Sequence, residues 1–170
     1  PTVANYIGLL LFTGIRREEA ARLEWSDVDL IGLTFTLHDT KNGLDFVVPM
    51  SIPVHGVLTA QQKEANGSQW VFPAATGDGP LIDPRKALEK VSDYIGVRFT
   101  SQTIRHTFAS IAFEFNFDWG NIKKMLNHKT GDITSRYVHA NVNSLRPMFD
   151  EIAQGLMENY DGSYLSDACS

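Results

Sequence analysis

The stretch from Gln102 to Tyr137 constrains this chain more than any other. Thr103, Ile104, Phe108, Ile111, Ala112 and Phe115 return to one face at helical spacing, which predicts a buried helix. Ile122, Met125 and Leu126 predict a second, shorter helix, with a polar turn from Asn127 to Asp132 after it. Around these apolar positions stand Arg105, His106, Lys123, Lys124, His128, Lys129, Arg136 and Tyr137. Arg105 and His106 are expected in the first turn of the longer helix. Free backbone N–H groups and the positive end of the helix dipole favour an oxyanion there, and a guanidinium adds bidentate donors that suit a phosphate.

Taken singly, each of these residues has a plainer reading: a surface charge, a helix cap, a packing aromatic. Their order and spacing narrow the choice. The string T-x-R-H-T-F-A-S from Thr103, then Leu126-Asn127-His128, then Arg136-Tyr137-Val138-His139 puts the tyrosine nine positions after His128. This resembles the second box of the tyrosine recombinase (phage integrase) family: H-x-L-R-H-T-F-A, then L-G-H, then a nucleophilic tyrosine at that distance. Near the start, TGIRREEAARLEWSDVDL resembles the family's first box, with Thr13, Gly14, Arg16, Glu19, Leu23, Trp25 and Asp27 on pattern. The plainer reading of Arg16 is an ion pair with Glu18 or Glu19.

Three strand-like runs follow: Val28–Leu30, Leu33–Leu37 and Phe46–Pro49. Between the last two, Asn42-Gly43 is a strong hairpin signal that puts Lys41 at or beside the tip. A lysine there is ordinarily a solubilising charge. Thr40-Lys41-Asn42-Gly43 nevertheless resembles the hairpin on which the family carries a catalytic lysine.

The resemblance implies an α+β fold, mainly helical, with a small antiparallel three-stranded sheet at one edge. It implies a catalytic domain over residues 1–160 without the family's helical N-terminal core-binding domain, and a disordered tail over 161–170. The implied function is site-specific DNA recombination, integration or excision, by cleavage and rejoining through a covalent 3′-phosphotyrosine. In that chemistry Arg16 and Arg105 clamp the non-bridging phosphate oxygens and His128 donates a hydrogen bond to one of them. Lys41 protonates the leaving 5′-oxygen, and Tyr137 is the nucleophile. Glu19 is the buried structural partner of Arg16. The implied partners are double-stranded DNA and further copies of the chain, as a tetramer on two DNA sites. No cofactor is implied.

One position departs from the pattern. Gln102 stands where the second box carries histidine; a histidine can shuttle protons, whereas a glutamine can only hydrogen-bond. The alternative reading is therefore a catalytically weak or inactive DNA-binding relic of the same fold, and type IB topoisomerase-like activity shares the chemistry. His106 is expected to pack inward.

Composition sets the remaining bounds. Hydrophobic residues make up 43% and charged residues 21%, the balance of an ordinary soluble globular domain. A net charge of −5 argues against a strongly basic nucleic-acid binder, but from Trp119 to Pro147 five Lys/Arg face one Asp. The lone Cys169 offers no disulfide framework, and the five histidines lack an HExxH-type spacing, so no metal is expected. No apolar run approaches a membrane span, which points to a cytoplasmic protein. The start at Pro1, without Met, reads as a cut end.

Further helices are expected over 2–12, ended by Thr13-Gly14, and from Arg16 with Ala20, Ala21, Leu23 and Trp25 inward. Two more are expected over Pro53–Ala65 and over Asp83–Ile95, the latter with Asp83 as cap and Pro84 first. A Gly- and Pro-containing loop over Pro73–Pro80 is expected to be mobile. A last helix, capped by Asn143 or Ser144, runs to about Asn159 with Leu145, Met148, Phe149, Ile152 and Leu156 on one face. In the family such a helix often packs on a neighbouring protomer; the other option is its own core.

Overall fold

The computed structural model describes residues 2–38, 40, 45–81, 84–128 and 142–158. Lys41, Asn42-Gly43, Asp83, Tyr137 and the 161–170 tail lie outside the described residues.

Seven helices and three strands are described: α1 Thr2–Thr13, α2 Arg17–Ala21, β1 Val28–Asp29, β2 Thr34–Leu37, β3 Phe46–Pro49, α3 Ile52–Glu64, α4 Arg85–Ile95, α5 Ser101–Glu114, α6 Trp119–Met125 and α7 Val142–Glu158. The fold is α+β and mainly helical. Its sheet is antiparallel in the order β1-β2-β3, with Val28 opposite Phe35 and Leu37 opposite Phe46.

Helix α1 lies at the centre, packed against α3, α5, α2 and α7. Tyr6, Leu9 and Leu10 are buried, and Tyr6 meets the edge of Phe72 at 5.2 Å. The Tyr6 hydroxyl donates to the Arg17 carbonyl at 2.8 Å, which fixes α2 on α1. On the other side Phe108 of α5 packs on Phe149 of α7 at 5.7 Å. Phe35, Leu37, Phe46 and Val48 turn the inner face of the sheet into this same core.

Helix α7 resolves the choice left open by the sequence. Leu145, Phe149, Ile152 and Ala153 are buried within this chain, and Gly155 sits so close to Phe115 that a Cβ there would lie 2.5 Å from the ring. Arg146 ties the helix to the sheet side by donating to the carbonyls of Met50 and Gly32, each at 3.3 Å.

Several boundaries differ from expectation. Asn143 and Ser144 lie inside α7 rather than at its cap. Helix α4 begins at Arg85, and Pro84 is its N-cap rather than its first residue. The α2 helix ends at Ala21; Leu23 is buried beyond it, its carbonyl accepting from Val71 N–H at 2.9 Å, and Trp25 opens a 3₁₀ turn. The Pro73–Pro80 loop is closed at its base: Ala74 N–H donates to Gly79 and Leu81 N–H to Phe72, both at 2.8 Å.

Candidate active site: two guanidinium groups at the end of a helix

Helix α6 is short, and the way it ends builds the site. Asp118 caps its start by accepting from Asn121 N–H. At its end Asn127 takes a left-handed conformation, φ +47°. Asn127 N–H then donates to Lys124 at 3.0 Å and His128 N–H to Lys123 at 2.9 Å. These two bonds make a Schellman motif, in which the residue after the helix turns left-handed and the next reaches back to the last turn. Glycine is the usual occupant of that position and asparagine the usual substitute. Asn127 can therefore stand where the family's L-G-H triplet carries glycine, and His128 is held at the mouth of the turn.

The carbonyls left over by the helix end receive both arginines. Arg105 of α5 donates from one terminal nitrogen to the Leu126 carbonyl and from the other to the Gly14 carbonyl, both at 2.5 Å. Arg16, the N-cap of α2, donates to the Asn127 carbonyl at 3.1 Å. Adjacent carbonyls at the negative end of the α6 dipole thus draw in two positive charges that begin 89 residues apart in sequence. Arg16 is further gripped by Glu19, whose carboxylate accepts from its guanidinium at 2.8 Å and from its backbone N–H at 3.0 Å. The plainer expectation of an Arg16–Glu19 ion pair and the convergence on α6 hold together. Arg17 takes the exposed Glu18 instead, at 2.6 Å.

Gly14 is required here twice over. Its φ of +63° is left-handed, and a Cβ would lie 2.6 Å from the Phe108 ring. That close approach lets α5 lie against the α1–α2 turn and brings Arg105 to the Gly14 carbonyl.

The electrostatics follow from the geometry. Burial lowers the Arg105 pKa to about 10, with the neighbouring Arg16 charge adding to the fall and Glu19 opposing it. The His128 ring is also shifted down, by loss of hydration first and then by the charges of Arg105, Arg16 and Lys123. Two guanidinium groups and an imidazole set against the single Glu19 carboxylate make a cradle with an excess of positive charge. The bonds described use one hydrogen on each terminal nitrogen of Arg105, out of the five N–H donors that a guanidinium has.

The structure brings together Arg16, Glu19, Arg105 and His128; Lys41 and Tyr137 lie outside the described residues. Two expectations are corrected. Arg105 is not in the first turn of α5, because Thr100 caps that helix through a reciprocal pair with Thr103, and the helix begins at Ser101. The phosphate-friendly feature is the pair of guanidinium groups held at the α6 end, not the α5 start. His106 does not pack inward either: it is exposed beside the exposed Gln102, with the Gln102 amide nitrogen 3.5 Å from its Nε2. Sequence reading missed Asn127, Leu126 and Gly14, whose carbonyls accept from the two arginines. The asparagine in place of glycine before His128 was the available signal for a left-handed helix end.

The fold is that of tyrosine recombinase catalytic domains. The chain matches the phage integrase family model over residues 2–144, and it belongs to that family. Prophage integrase IntF of Escherichia coli (strain K12) is 27% identical over 142 residues, which cover 81% of this chain and 30% of the relative. Tyrosine recombinase XerA of Thermococcus onnurineus (strain NA1) is 27% identical over 160 residues, covering 89% and 57%. Among solved structures, the integrase from mycobacterium phage Brujita has a TM-score of 0.69 at 18% identity, covering 89% of this chain and 51% of that one. XerH site-specific recombinase bound to difH substrate, a pre-cleavage complex, has a TM-score of 0.62 at 20% identity, covering 86% and 42%. The chain thus spans about half the length of most of the curated relatives it matches, and 30% of IntF.

Proposed function

We propose that residues 1–160 act as the catalytic domain of a DNA strand transferase, which cleaves and rejoins duplex DNA in site-specific recombination. The observation that carries this reading is the convergence of Arg16 and Arg105 on the neighbouring carbonyls of Leu126 and Asn127, beside His128. A phosphodiester passing through a pentacovalent state gathers charge on its non-bridging oxygens, and preorganised guanidinium groups stabilise that charge most. His128 donates a further hydrogen bond to one of these oxygens. Tyr137 attacks the phosphorus as its phenol gives its proton to solvent water, and the 5′-oxygen leaves with a proton supplied by Lys41. The resulting 3′-phosphotyrosine retains the ester, so a second 5′-hydroxyl can reverse the step and rejoin without an energy source.

The substrate of this reading is double-stranded DNA, which places its action in the cytoplasm. Recombining two duplexes consumes one tyrosine for each strand cut, which calls for a homotetramer on two sites. A binding-only reading is favoured by Gln102, which meets His106 and cannot itself move a proton.

The test is a pool of randomised duplexes carrying a 5′-bridging phosphorothiolate, whose thiolate leaving group does not re-attack and so traps the covalent product. The expected result is a denaturant-resistant protein–DNA species, reduced roughly 100- to 1,000-fold in Arg16→Ala and Arg105→Ala. Retained binding with no such species supports the binding-only reading.

A further inference from the structure

At the open end of the sheet, His38 lies between two carboxylates. It follows directly on β2, one rung beyond the Leu37–Phe46 pair, which puts it opposite Asp45 at the start of β3. Its other neighbour is Asp27, which ends the 3₁₀ turn just before β1 and is diagonal to it across the sheet. The His38 Nδ1 is 2.9 Å from an Asp45 oxygen, and its Nε2 is 3.2 Å from an Asp27 oxygen. An ionised carboxylate can only accept, so both ring nitrogens must donate, and only the imidazolium has two N–H groups.

The geometry points to His38 as a positioning residue: as a charged bridge from Asp27 to Asp45, it pins the base of the β2–β3 connection that carries Lys41. The inference rests on the reading of Lys41 as the general acid. Residues 39–44 join the bridged pair, so Lys41 is three residues from one anchor and four from the other. A proton donor must be held within a fraction of an ångström of its target, and a connection tied at its base has fewer arrangements to sample. Asp27 belongs to the first-box string that also contains Arg16, so the same string serves both the cradle and the lysine connection.

The bridge has a direction in pH. Asp45 raises the pKa of the His38 ring most, loss of hydration opposes it, and Asp27 adds to the rise. The ionisable groups acting on the ring among the described residues are these two carboxylates. The bridge is complete below the ordinary histidine value of about 6.5 and is lost as pH rises through the raised folded value. The ring is half exposed, so salt weakens the bridge as well.

The experiment is a pH titration of the intact chain by NMR, following the His38 ring and the backbone amides of residues 40–45. The ring is expected to titrate above about 6.5 in the wild type and to fall toward it in Asp45→Asn and Asp27→Asn, with the amides sharing the wild-type midpoint. With randomised nicked duplexes of ordinary phosphodiesters, whose short cleaved strand diffuses away and traps the covalent product, His38→Gln should lower that product about tenfold and remove the decline that the wild type shows above that midpoint. On the 5′-phosphorothiolate, whose thiolate leaves without a proton, the variant should match the wild type. A ring that titrates at or below the ordinary value, or amides that ignore its midpoint, overturns the bridge. Ring and amides that behave as expected while no variant or wild type forms product overturn the strand-transferase reading and leave the bridge standing.

Discussion

Arg105 on α5 donates a hydrogen bond to the carbonyl of Gly14, a residue that sits 91 positions earlier and that cannot carry a side chain. The same glycine admits the Phe108 ring and accepts the guanidinium, so packing of the core and placement of the charge are one arrangement. Arg16 and Arg105 reach the end of α6 from positions 89 residues apart in sequence because α5 packs on both α1 and α6.

Gly14→Ala combines two costs. A left-handed residue with a Cβ costs about 1–2 kcal/mol, and an overpacked contact about 1–3 kcal/mol more. Denaturant unfolding is expected to show a loss of about 2–5 kcal/mol. Gly67→Ala is the control: φ is +79° but no atom lies within 4 Å of the added Cβ, so the loss should be only the left-handed cost of about 1–2 kcal/mol.

Glu19→Ala removes both carboxylate oxygens that hold Arg16 and leaves it the Asn127 carbonyl. The stability loss should be about 1–3 kcal/mol, since the carboxylate is nearly buried and its partners are left without it. The stabilisation of the chain by inorganic phosphate, read as a shift of melting temperature, should fall with it. Glu18→Ala breaks the exposed pair with Arg17 and should change stability by less than about 1 kcal/mol and leave the phosphate effect in place.

The downward shift of His128 carries a sign for stability. As pH falls below about 6.5, the unfolded chain takes up the proton before the folded one, so stability declines through that window until the folded value is passed. Arg105→Gln removes a positive neighbour and should move the ring's titration upward, as seen by NMR. Adding inorganic phosphate to the wild type should move it upward too, because an anion in the cradle favours the imidazolium.

Phe149→Ala opens a cavity between α5 and α7 where Phe108 packs, and should cost about 3–5 kcal/mol in denaturant unfolding. Met157→Ala, at an exposed position near the end of the same helix, should change stability by less than about 0.5 kcal/mol.

Much of this arrangement is legible from residues alone. The apolar spacing of Ile104, Phe108 and Ala112 gives the buried face of α5, and Phe46–Pro49 is a strand at the bounds expected. Thr13-Gly14 ends α1 as its glycine suggests. What sequence reading misplaces is decided by caps and by tertiary register. Thr100 caps α5 with Thr103 rather than with the more familiar Glu or Gln, which shifts Arg105 out of the first turn. The carbonyls that hold the arginines are backbone groups common to every residue, so no side-chain pattern marks them. His38 and its two carboxylates come together only through the strand register, while the exposure of His106 is set by what α5 leaves uncovered.

The central claim is that Tyr137 takes up the DNA phosphate. The direct measurement is mass spectrometry of the denaturant-resistant species after digestion of protein and DNA. A nucleotide 3′-phosphate is expected on the peptide containing Tyr137, and no such species from Tyr137→Phe. A nucleotide on Tyr160 or Tyr164, or covalent product that persists in Tyr137→Phe, contradicts it.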